Sequence, residues 1–288
     1  MVSAPGILYV VATPIGNLAD MTDRARDVLG KVDLIACEDT RRTRRLLTHF
    51  GIRALLRSYH DHNERDTAPE LIATLLRGDS VALVSDAGTP LISDPGYQLV
   101  NQAAVSGIPV VPIPGASALV CALSASGLPS DRFLFLGFPP RNSSRCRGWL
   151  EGQAFEPGTM IFYESGKRVL RFLEDLSVVL GGGRKVVVVR ELTKHFETFL
   201  RGSVADLIDR LTRDEEQRLG EFVVLVEGKR SDDAGTVGLE QRRVLSILLD
   251  ELPVKQAASL AARIAGGKRN QLYRLGLEMS QGADLSDG

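Results

Sequence analysis

The stretch Val81–Gly96, VALVSDAGTPLISDPG, decides the fold. It opens with four apolar residues, which predict a short buried strand, and continues through a sharp polar turn to a helical run beginning at Tyr97. Ligands of open α/β sheets bind outside the carboxyl ends of the strands. We therefore expect Asp86 and Thr89 to face a small ligand, with Gly88 letting the backbone approach it closely. A tight turn that only caps the next helix is the alternative that this stretch leaves open.

Two more predicted strands end in turns of small and polar residues. Ile7–Ala12 runs into Thr13–Asn17, a Gly/Pro turn that lacks the GxGxxG phosphate fingerprint. Pro109–Pro112 runs into Pro114–Ala118, which opens a helix. Three such strand ends on one rim of a sheet predict a ligand pocket.

An acidic and then basic segment follows the predicted strand Val32–Cys37. Glu38, Asp39 and Thr40 come directly after this strand, and a helix rich in arginine follows. The pattern is typical of a salt-bridged surface, and equally of a phosphate-facing rim beside an acidic pocket. The arginines in question are Arg41, Arg42, Arg44 and Arg45.

The second half of the chain repeats the α/β pattern. The segment Pro139–Arg147 is predicted to be a basic loop, and Gly127–Ser130 a linker between two domains. Polar residues follow two strands here, at Glu164–Lys167 and at Arg190–Lys194. The predicted strands are Arg132–Phe138, Thr159–Tyr163, Lys185–Val189 and Glu221–Val226, and the predicted helices are Val169–Leu180 and Val204–Glu216.

Composition favours an ordinary globular protein with local rather than global charge. The chain has 288 residues, enough for two modest domains, and a formal net charge of -1, so any nucleic-acid site must be a local patch. The apolar run Ile7–Ala12 is too short for a signal peptide or a membrane span, and we expect a cytoplasmic protein that does not enter a membrane.

Cysteine and histidine usage gives little support for a metal site. Cys37, Cys121 and Cys146 are odd in number and far apart, which suits a reducing compartment and indicates neither a disulfide framework nor a structural zinc. His60 and His62 could ligate a metal, but they more often belong to a polar loop in which Asn63 caps the helix Glu64–Leu76. We expect no metal.

The C-terminal part is predicted to be helical and basic. Asp232–Gly238 reads as a linker, and short helices follow at Val244–Leu252, Val254–Ile264 and Asn270–Leu277. A helix, a short turn and a second helix with small residues at their contact resemble a helix-turn-helix. A solvated helical tail and an RNA-contacting module both explain this segment, whose basic residues are Lys255, Arg263, Lys268, Arg269 and Arg274.

Seven motifs in order carry a resemblance to a known family. Together they resemble the tetrapyrrole-methylase-like class of S-adenosylmethionine methyltransferases, and within it the bacterial ribosomal small subunit methyltransferase I family. The resemblance covers nearly the whole chain. The motifs are TPIGNLAD at Thr13–Asp20, CEDTRRT at Cys37–Thr43, SDAGTPLISDPG at Ser85–Gly96, PGASA at Pro114–Ala118, FYES at Phe162–Ser165, RELTK at Arg190–Lys194 and GEFVVLVEG at Gly220–Gly228.

The resemblance implies an α/β protein with two αβα domains of the tetrapyrrole methylase type and a small C-terminal helical module. The implied domains are residues 1–127, 128–232 and 233–288. S-adenosylmethionine would lie in the cleft between the first two, and the implied reaction is 2′-O-methylation of a cytidine ribose in the decoding region of 16S rRNA. A homodimer acting on the small ribosomal subunit is also implied. Gly166 and Lys167 depart from the family's usual Pro-His, which leaves the substrate contacts of that loop open.

Site residues follow from the matched motifs. For the catalytic group we consider Lys194, which could deprotonate or polarise the hydroxyl if burial lowers its pKa, together with the carboxylates Glu191 and Glu38. Asp39 is a further carboxylate candidate. The cofactor would contact Pro14, Ile15, Gly16, Asp86, Gly88, Thr89, Pro90, Ser117, Ala118, Tyr163, Glu164, Ser165, Leu192 and Thr193. The RNA would contact Arg41, Arg42, Arg44, Arg45, Arg141, Arg145, Lys255, Lys268 and Arg269.

Two other functions are alternatives to rRNA 2′-O-methylation. A corrin or porphyrinogen C-methyltransferase shares the implied fold but would not require the arginine-rich edge or the basic tail. A non-catalytic rRNA-binding assembly factor would bind rRNA and transfer no methyl group. A nicotinamide dehydrogenase is disfavoured because the phosphate fingerprint is missing.

Overall fold

The computed structural model describes residues 4–229 and 239–283 and divides into two compact units. The larger unit runs up to Glu151 and resumes at Gly158–Glu227, and the smaller one comprises Gly152–Pro157 and the chain from Gly228 onward. The predicted linker Asp232–Gly238 lies outside the described residues. The three predicted domains, with boundaries after residues 127 and 232, stay predictions.

The first sheet of the larger unit is entirely parallel. Its strand order is β3-β2-β4-β1-β5, so β4 and β1 are central neighbours. Parallel sheets are covered on both faces, which is why β4 can be apolar throughout, with every side chain at most 2 % exposed. The strands are β1 Leu8–Val11, β2 Leu34–Cys37, β3 Leu56–Ser58, β4 Val81–Val84 and β5 Val110–Ile113. The helices are α1 Asp23–Leu29, α2 Thr40–His49, α3 Glu64–Leu76, α4 Tyr97–Val105 and α5 Ala118–Ser126.

Two details of this layer differ from the sequence predictions. Strand β3 was not predicted, because three residues with a central arginine carry no strand signal of their own. Asn63 is the N-cap residue of α3 as predicted, but its side chain forms no capping hydrogen bond with the helix. The Asn63 amide instead donates to the carbonyl of Ser58, and its oxygen accepts from the amide of His60, so it stabilises the preceding loop.

The second sheet is mixed, with the order β6-β7-β10-β8-β9. Only β6 and β7 are parallel, and the other neighbours are antiparallel. Its strands are β6 Phe133–Gly137, β7 Thr159–Ser165, β8 Lys185–Arg190, β9 Thr198–Ser203 and β10 Glu221–Val226. Its helices are α6 Ser143–Glu151, α7 Gly166–Leu180 and α8 Val204–Arg213. Strand β9 was not predicted, since its sequence TFLRGS is interrupted by Arg201 and Gly202.

The predicted loop Pro139–Arg147 is wrong from Ser143 onward, where α6 begins. Cys146 and Leu150 on α6 are buried against the second sheet's core. Arg147 donates to the buried carboxylate of Asp175 at 2.7 Å. Tertiary packing of one apolar stripe therefore makes a helix of a segment that is polar overall.

The described part of the smaller unit contains three helices, and three alanines contribute to their shared core. These helices are α9 Leu239–Leu249, α10 Val254–Ala265 and α11 Arg269–Ala283. Ala257, Ala258 and Ala261 on α10 are fully buried and let Leu245 and Leu272 pack close to it. No helix within the described ranges is long and apolar enough to cross a bilayer.

Candidate active site

Backbone hydrogen bonds tie the carboxyl ends of the central strands β1 and β4 together. The amide of Thr13 donates to the carbonyl of Gly88 at 2.9 Å, and the amide of Gly88 donates back to Thr13 at 3.1 Å. Gly88 has φ of +87°, and a Cβ there would lie 3.2 Å from Ile15 Cγ2. Both the left-handed backbone and the close neighbour favour glycine, which fixes the turn after β4 against the end of β1.

Side chains attach the ends of β2 and β5 to the same turn. Asp86 Oδ1 accepts from the amide of Asp39, which follows β2, at 3.1 Å. Thr89 Oγ1 donates to the carbonyl of Ala116, which follows β5, at 3.0 Å. Four strand ends of the first sheet therefore form one connected rim, as the turn residues of the sequence indicate.

Tyr163 at the end of β7 joins the second sheet to this rim. Its hydroxyl oxygen accepts from the amide of Leu119, near the start of α5, at 3.2 Å. Burial raises the pKa of Tyr163 to about 12, so the phenol stays neutral. Its ring contacts Phe135 and Phe138 edge to face at 4.9 and 5.7 Å.

A cavity of about 430 Å³, which we call the main cleft, lies between the rim and the second sheet. It is lined by ten of the predicted cofactor contacts: Ile15, Asp86, Gly88, Thr89, Ser117, Ala118, Tyr163, Glu164, Ser165 and Leu192. Pro14 and Gly16 line an adjoining cavity of about 360 Å³ instead, the side pocket. Pro90 and Thr193 line neither cavity.

Two carboxylates in the main cleft carry no ion pair with any described residue. Burial, followed by the charge of Asp86, raises the pKa of Glu38. Burial also raises the pKa of Asp94, to about 6, and the charges of Glu38 and Asp86 add to this shift. A site that holds unpaired negative charge suits a cationic ligand. Sequence reasoning missed Asp94, although it stands in the SDPG turn of the stretch that decides the fold.

Asp86 is already engaged by the protein. Besides the amide of Asp39, its carboxylate accepts from the guanidinium of Arg42 at 3.0 Å. Arg42 was predicted as an RNA contact, and the structure places it in the wall of the main cleft. Asp86 therefore anchors the rim and is only 19 % exposed.

Lys194 reaches the main cleft from the loop between β8 and β9 as a cation. Burial lowers the pKa of Lys194, but hydrogen bonds to Glu221 and Glu191 outweigh burial and leave it raised. Its ammonium donates to both carboxylates at 2.9 Å. The expectation of a lysine base with a lowered pKa is therefore wrong, because the sequence does not show Glu221 arriving from β10.

Glu191 and Glu164 are committed to positioning contacts. Burial raises the pKa of Glu191, but the Glu221 amide and the Lys194 ammonium donate to its carboxylate and bring it below its usual value. Glu164, only 4 % exposed, accepts from Arg168 Nε at 2.7 Å and from the amide of Ser165. Hydrogen-bond donors of the protein therefore occupy both carboxylates.

The stem of Lys194 lies across Gly16 at the end of β1. A Cβ added to Gly16 would come within 2.5 Å of Lys194 Cγ, so only glycine lets the lysine cross this point. This contact brings the ammonium of a second-sheet residue to the rim of the first sheet.

Backbone strain clusters around the main cleft. Within the described ranges, the non-glycine residues with positive φ are Leu91, Ser93, Glu191 and Thr193. All four belong to the turn after β4 or to the loop after β8. Non-glycine residues adopt this conformation at a cost, and such residues concentrate at functional sites.

The predicted RNA-contacting residues fall in three places. Arg41, Arg44 and Arg45 are exposed on α2, where Arg41 pairs with Asp39 and lowers the pKa of that carboxyl to about 2. Arg141 precedes α6 and Arg145 lies on it, both exposed. Lys255, Lys268 and Arg269 are exposed on the smaller unit.

The histidine pair has no support as a metal site. The rings of His60 and His62 lie 5.9 Å apart. In the part of the chain that the structure describes, no group of three or more His, Cys, Asp or Glu residues could hold a metal ion.

Two helix-covered sheets, one parallel and one mixed, whose strand ends share one cleft are the arrangement of the tetrapyrrole methylase class. The family model Tetrapyrrole (Corrin/Porphyrin) Methylases matches residues 7–208. Among solved structures, the methyltransferase CobJ has a TM-score of 0.57 at 20% identity, covering 78% of this chain and 96% of that one. Uroporphyrin-III-C-methyltransferase from Thermus thermophilus has a TM-score of 0.51 at 19% identity, covering 77% of this chain and 94% of that one. These likenesses confirm the predicted fold class.

The particular family follows from nearer relatives. A ribosomal RNA small subunit methyltransferase I from Escherichia coli O157:H7 is 52% identical, covering 96% of both chains. One from Vibrio cholerae is 53% identical over 94% of each. The model RsmI C-terminal HTH domain matches residues 236–280. The chain belongs to the ribosomal RNA small subunit methyltransferase I family, which confirms the resemblance seen in its motifs.

Methylases of this family use S-adenosylmethionine, and the main cleft fits that cofactor. A cavity of about 430 Å³ falls within the range of small-molecule sites. Ile15, Ile92, Leu192 and Val223 provide apolar walls. The unpaired carboxylates of Glu38 and Asp94 complement a ligand that carries a sulfonium and an ammonium.

Proposed function

We propose that the protein methylates the 2′-hydroxyl of a cytidine ribose in the decoding region of 16S rRNA, with S-adenosylmethionine as the donor. The observation that supports this most is the connected rim of strand ends, in a chain about half identical over 94–96% of its length to ribosomal RNA small subunit methyltransferases I. The motifs shared with that family support the choice of cytidine and of the 2′-oxygen. A cytoplasmic homodimer that acts on the small subunit belongs to the same proposal.

The charged residues of the main cleft have different roles in this proposal. The cofactor supplies an electrophilic methyl group on a positively charged sulfur, so the protein mainly has to align donor and acceptor and exclude water. Glu38 and Asp94 hold negative charge near the cationic donor, and they are the carboxylates free to take the hydroxyl proton. The ammonium of Lys194 is held in place and stabilises the negative charge that develops on the 2′-oxygen of the substrate.

Labelled methyl transfer tests the proposal. Small ribosomal subunits that lack the modification are incubated with the protein and tritiated S-adenosylmethionine, and the RNA is then hydrolysed with alkali. A 2′-O-methyl group blocks cleavage, so we expect the label in an alkali-resistant dinucleotide that begins with cytidine. Label in a uroporphyrinogen or precorrin acceptor, with none in rRNA, would instead establish a tetrapyrrole methylase. Binding of the subunit without any transfer would establish an assembly factor.

The smaller unit adds RNA affinity in this proposal. Phosphate contacts by Lys255, Lys268 and Arg269 should make binding steeply salt dependent. A protein ending at Asp232 should bind subunits about tenfold more weakly in filter binding, with a shallower slope of log affinity against log salt by about 0.7 per lost contact. Equal RNA affinity and an equal slope for both proteins would remove the smaller unit from the RNA surface.

A further inference from the structure

The side pocket adjoins the main cleft but has a different chemistry. Its volume is about 360 Å³, and it shares a common wall with the main cleft, formed by Ile15, Arg42, Asp86 and Ala87. The remaining wall is apolar at Leu18 and Leu46. Leu18 is 41% exposed, so part of its side chain is accessible from the pocket.

Charge in the side pocket is positive once its ion pair is counted. Asp86 is neutralised by Arg42, whose guanidinium lies 3.0 Å from the carboxylate. Arg45 also lines the pocket and forms no ion pair with any residue that the structure describes. One unpaired guanidinium therefore stands beside an apolar surface, a combination that suits a phosphate joined to a flat base.

Helix α2 presents these groups rigidly. Arg42, Arg45 and Leu46 are spaced three and four residues apart and so share one face of the helix. Leu47 on the same helix is 3 % exposed and packs in the core of the first sheet, which fixes α2 in place. The α2 wall of the pocket is therefore rigid, and the turns after β1 and β4 form the rest of the lining.

We propose that the side pocket binds the nucleotide next to the methylated one in single-stranded RNA. The base packs between Leu18 and Leu46, and Arg45 binds its phosphate. Single-stranded RNA is recognised by splayed bases that leave the stack, and a neighbour held in this way would present the target ribose to the main cleft. This inference rests on the proposed function, since it assumes that RNA is the substrate.

Paired variants test the phosphate contact. Arg45→Glu and Arg44→Glu change the net charge equally on the same helix, but only Arg45 lines the pocket. We expect Arg45→Glu to raise the KM for small subunits about tenfold more than Arg44→Glu does, with kcat changed less. The cofactor affinity of both variants, measured by calorimetry, should stay within twofold of the unaltered protein.

A second pair tests the base contact. Leu46→Trp fills the pocket and should raise the KM for small subunits about tenfold. Leu55→Trp places the same side chain at an exposed site, 72% exposed, that lines neither cavity, and should leave KM unchanged. Circular dichroism and thermal melting verify that each variant folds. If Leu46→Trp does not fold, the comparison of Arg45→Glu with Arg44→Glu still tests the inference.

Two results would overturn the inference. Equal KM for Arg45→Glu and Arg44→Glu would show that Arg45 contributes only general electrostatic attraction. A tenfold loss of cofactor affinity in Arg45→Glu would assign the side pocket to the cofactor. Failure of the proposed function looks different, because the unaltered protein would then transfer no label to rRNA at all.

Discussion

The two sheets build opposite sides of one cleft by different means. Loops of the first sheet are held by backbone bonds, such as the pair between Thr13 and Gly88, and present the carboxylates of Glu38 and Asp94. Loops of the second sheet also form backbone bonds, such as the one from the amide of Glu191 to the carbonyl of Glu221 at 2.9 Å, and add ion pairs in which Glu191 and Glu221 fix Lys194.

This difference follows from topology. A parallel sheet sends every strand end to the same rim, where neighbouring turns can bond directly. In the mixed second sheet, β10 runs antiparallel to β7 and β8, so Glu221 at its start lies beside the ends of those two strands. The first-sheet side of the cleft, which we call the acidic side, should therefore be less sensitive to salt than the second-sheet side, where charged partners hold Lys194. The ion pair between Asp86 and Arg42 adds some salt sensitivity to the acidic side as well.

The largest expected effect is that of Lys194 on the rate of methyl transfer. Lys194→Met should lower the single-turnover rate of methyl transfer about 100-fold, because the fixed positive charge near the developing oxyanion is lost. Since Glu191 and Glu221 keep the ammonium protonated, the rate of the unaltered protein should show no lysine titration between pH 7 and about 9. Rapid-quench measurements over that pH range test both points. Lys194→Arg, which keeps the charge, serves as the control, and near-normal rates for the methionine variant at every pH would remove Lys194 from the chemistry.

The next effect concerns the anchor of the acidic side. Asp86→Ala removes the acceptor for the Asp39 amide and for Arg42, so the rim should loosen. We expect cofactor affinity in calorimetry to fall about tenfold, which corresponds to about 1.4 kcal/mol. Asp86→Asn keeps one acceptor oxygen and should lose less. Unchanged affinity in the alanine variant would show that the backbone bonds alone hold the rim.

The smallest effect separates charge from packing on the acidic side. Because the pKa of Asp94 is raised to about 6 in the folded protein, ionisation of this carboxyl lowers the free energy of unfolding. This loss of stability is complete above pH 6 and disappears below the pKa that Asp94 has in the unfolded chain. Asp94→Asn should therefore raise the melting temperature by about 2 °C at pH 7.5 and by less at pH 5. Cofactor affinity of the unaltered protein should fall as the pH drops through 6, and that of the variant should not. Parallel melting curves for the two proteins at both pH values would contradict this assignment.

Sequence patterns predicted most of the fold for identifiable reasons. Buried strands such as Val81–Val84 are continuous apolar runs, and turns of Gly, Pro and Asp mark their ends. Strands β3 and β9 escaped prediction because sheet neighbours stabilise them and their own residues do not. Helix α6 escaped because its buried stripe of Cys146 and Leu150 stands among polar residues.

The sequence predicted which residues lie at the candidate site better than it predicted the charge states of their side chains. Motif residues such as Ile15, Thr89 and Ser165 do line the main cleft. The state of Lys194 was wrong, and Asp94 was overlooked, because a pKa depends on neighbours that are distant in the chain.

The sequence by itself determined the α/β alternation, the turns at the strand ends and the family, because hydrophobic period, turn chemistry and ordered motifs are local properties of the chain. Only the tertiary structure decided which charges meet. Glu221 reaches Lys194 from 27 residues away, and Asp86 reaches Arg42 from 44. Such pairings depend on the order and direction of strands in a sheet, which no local pattern encodes.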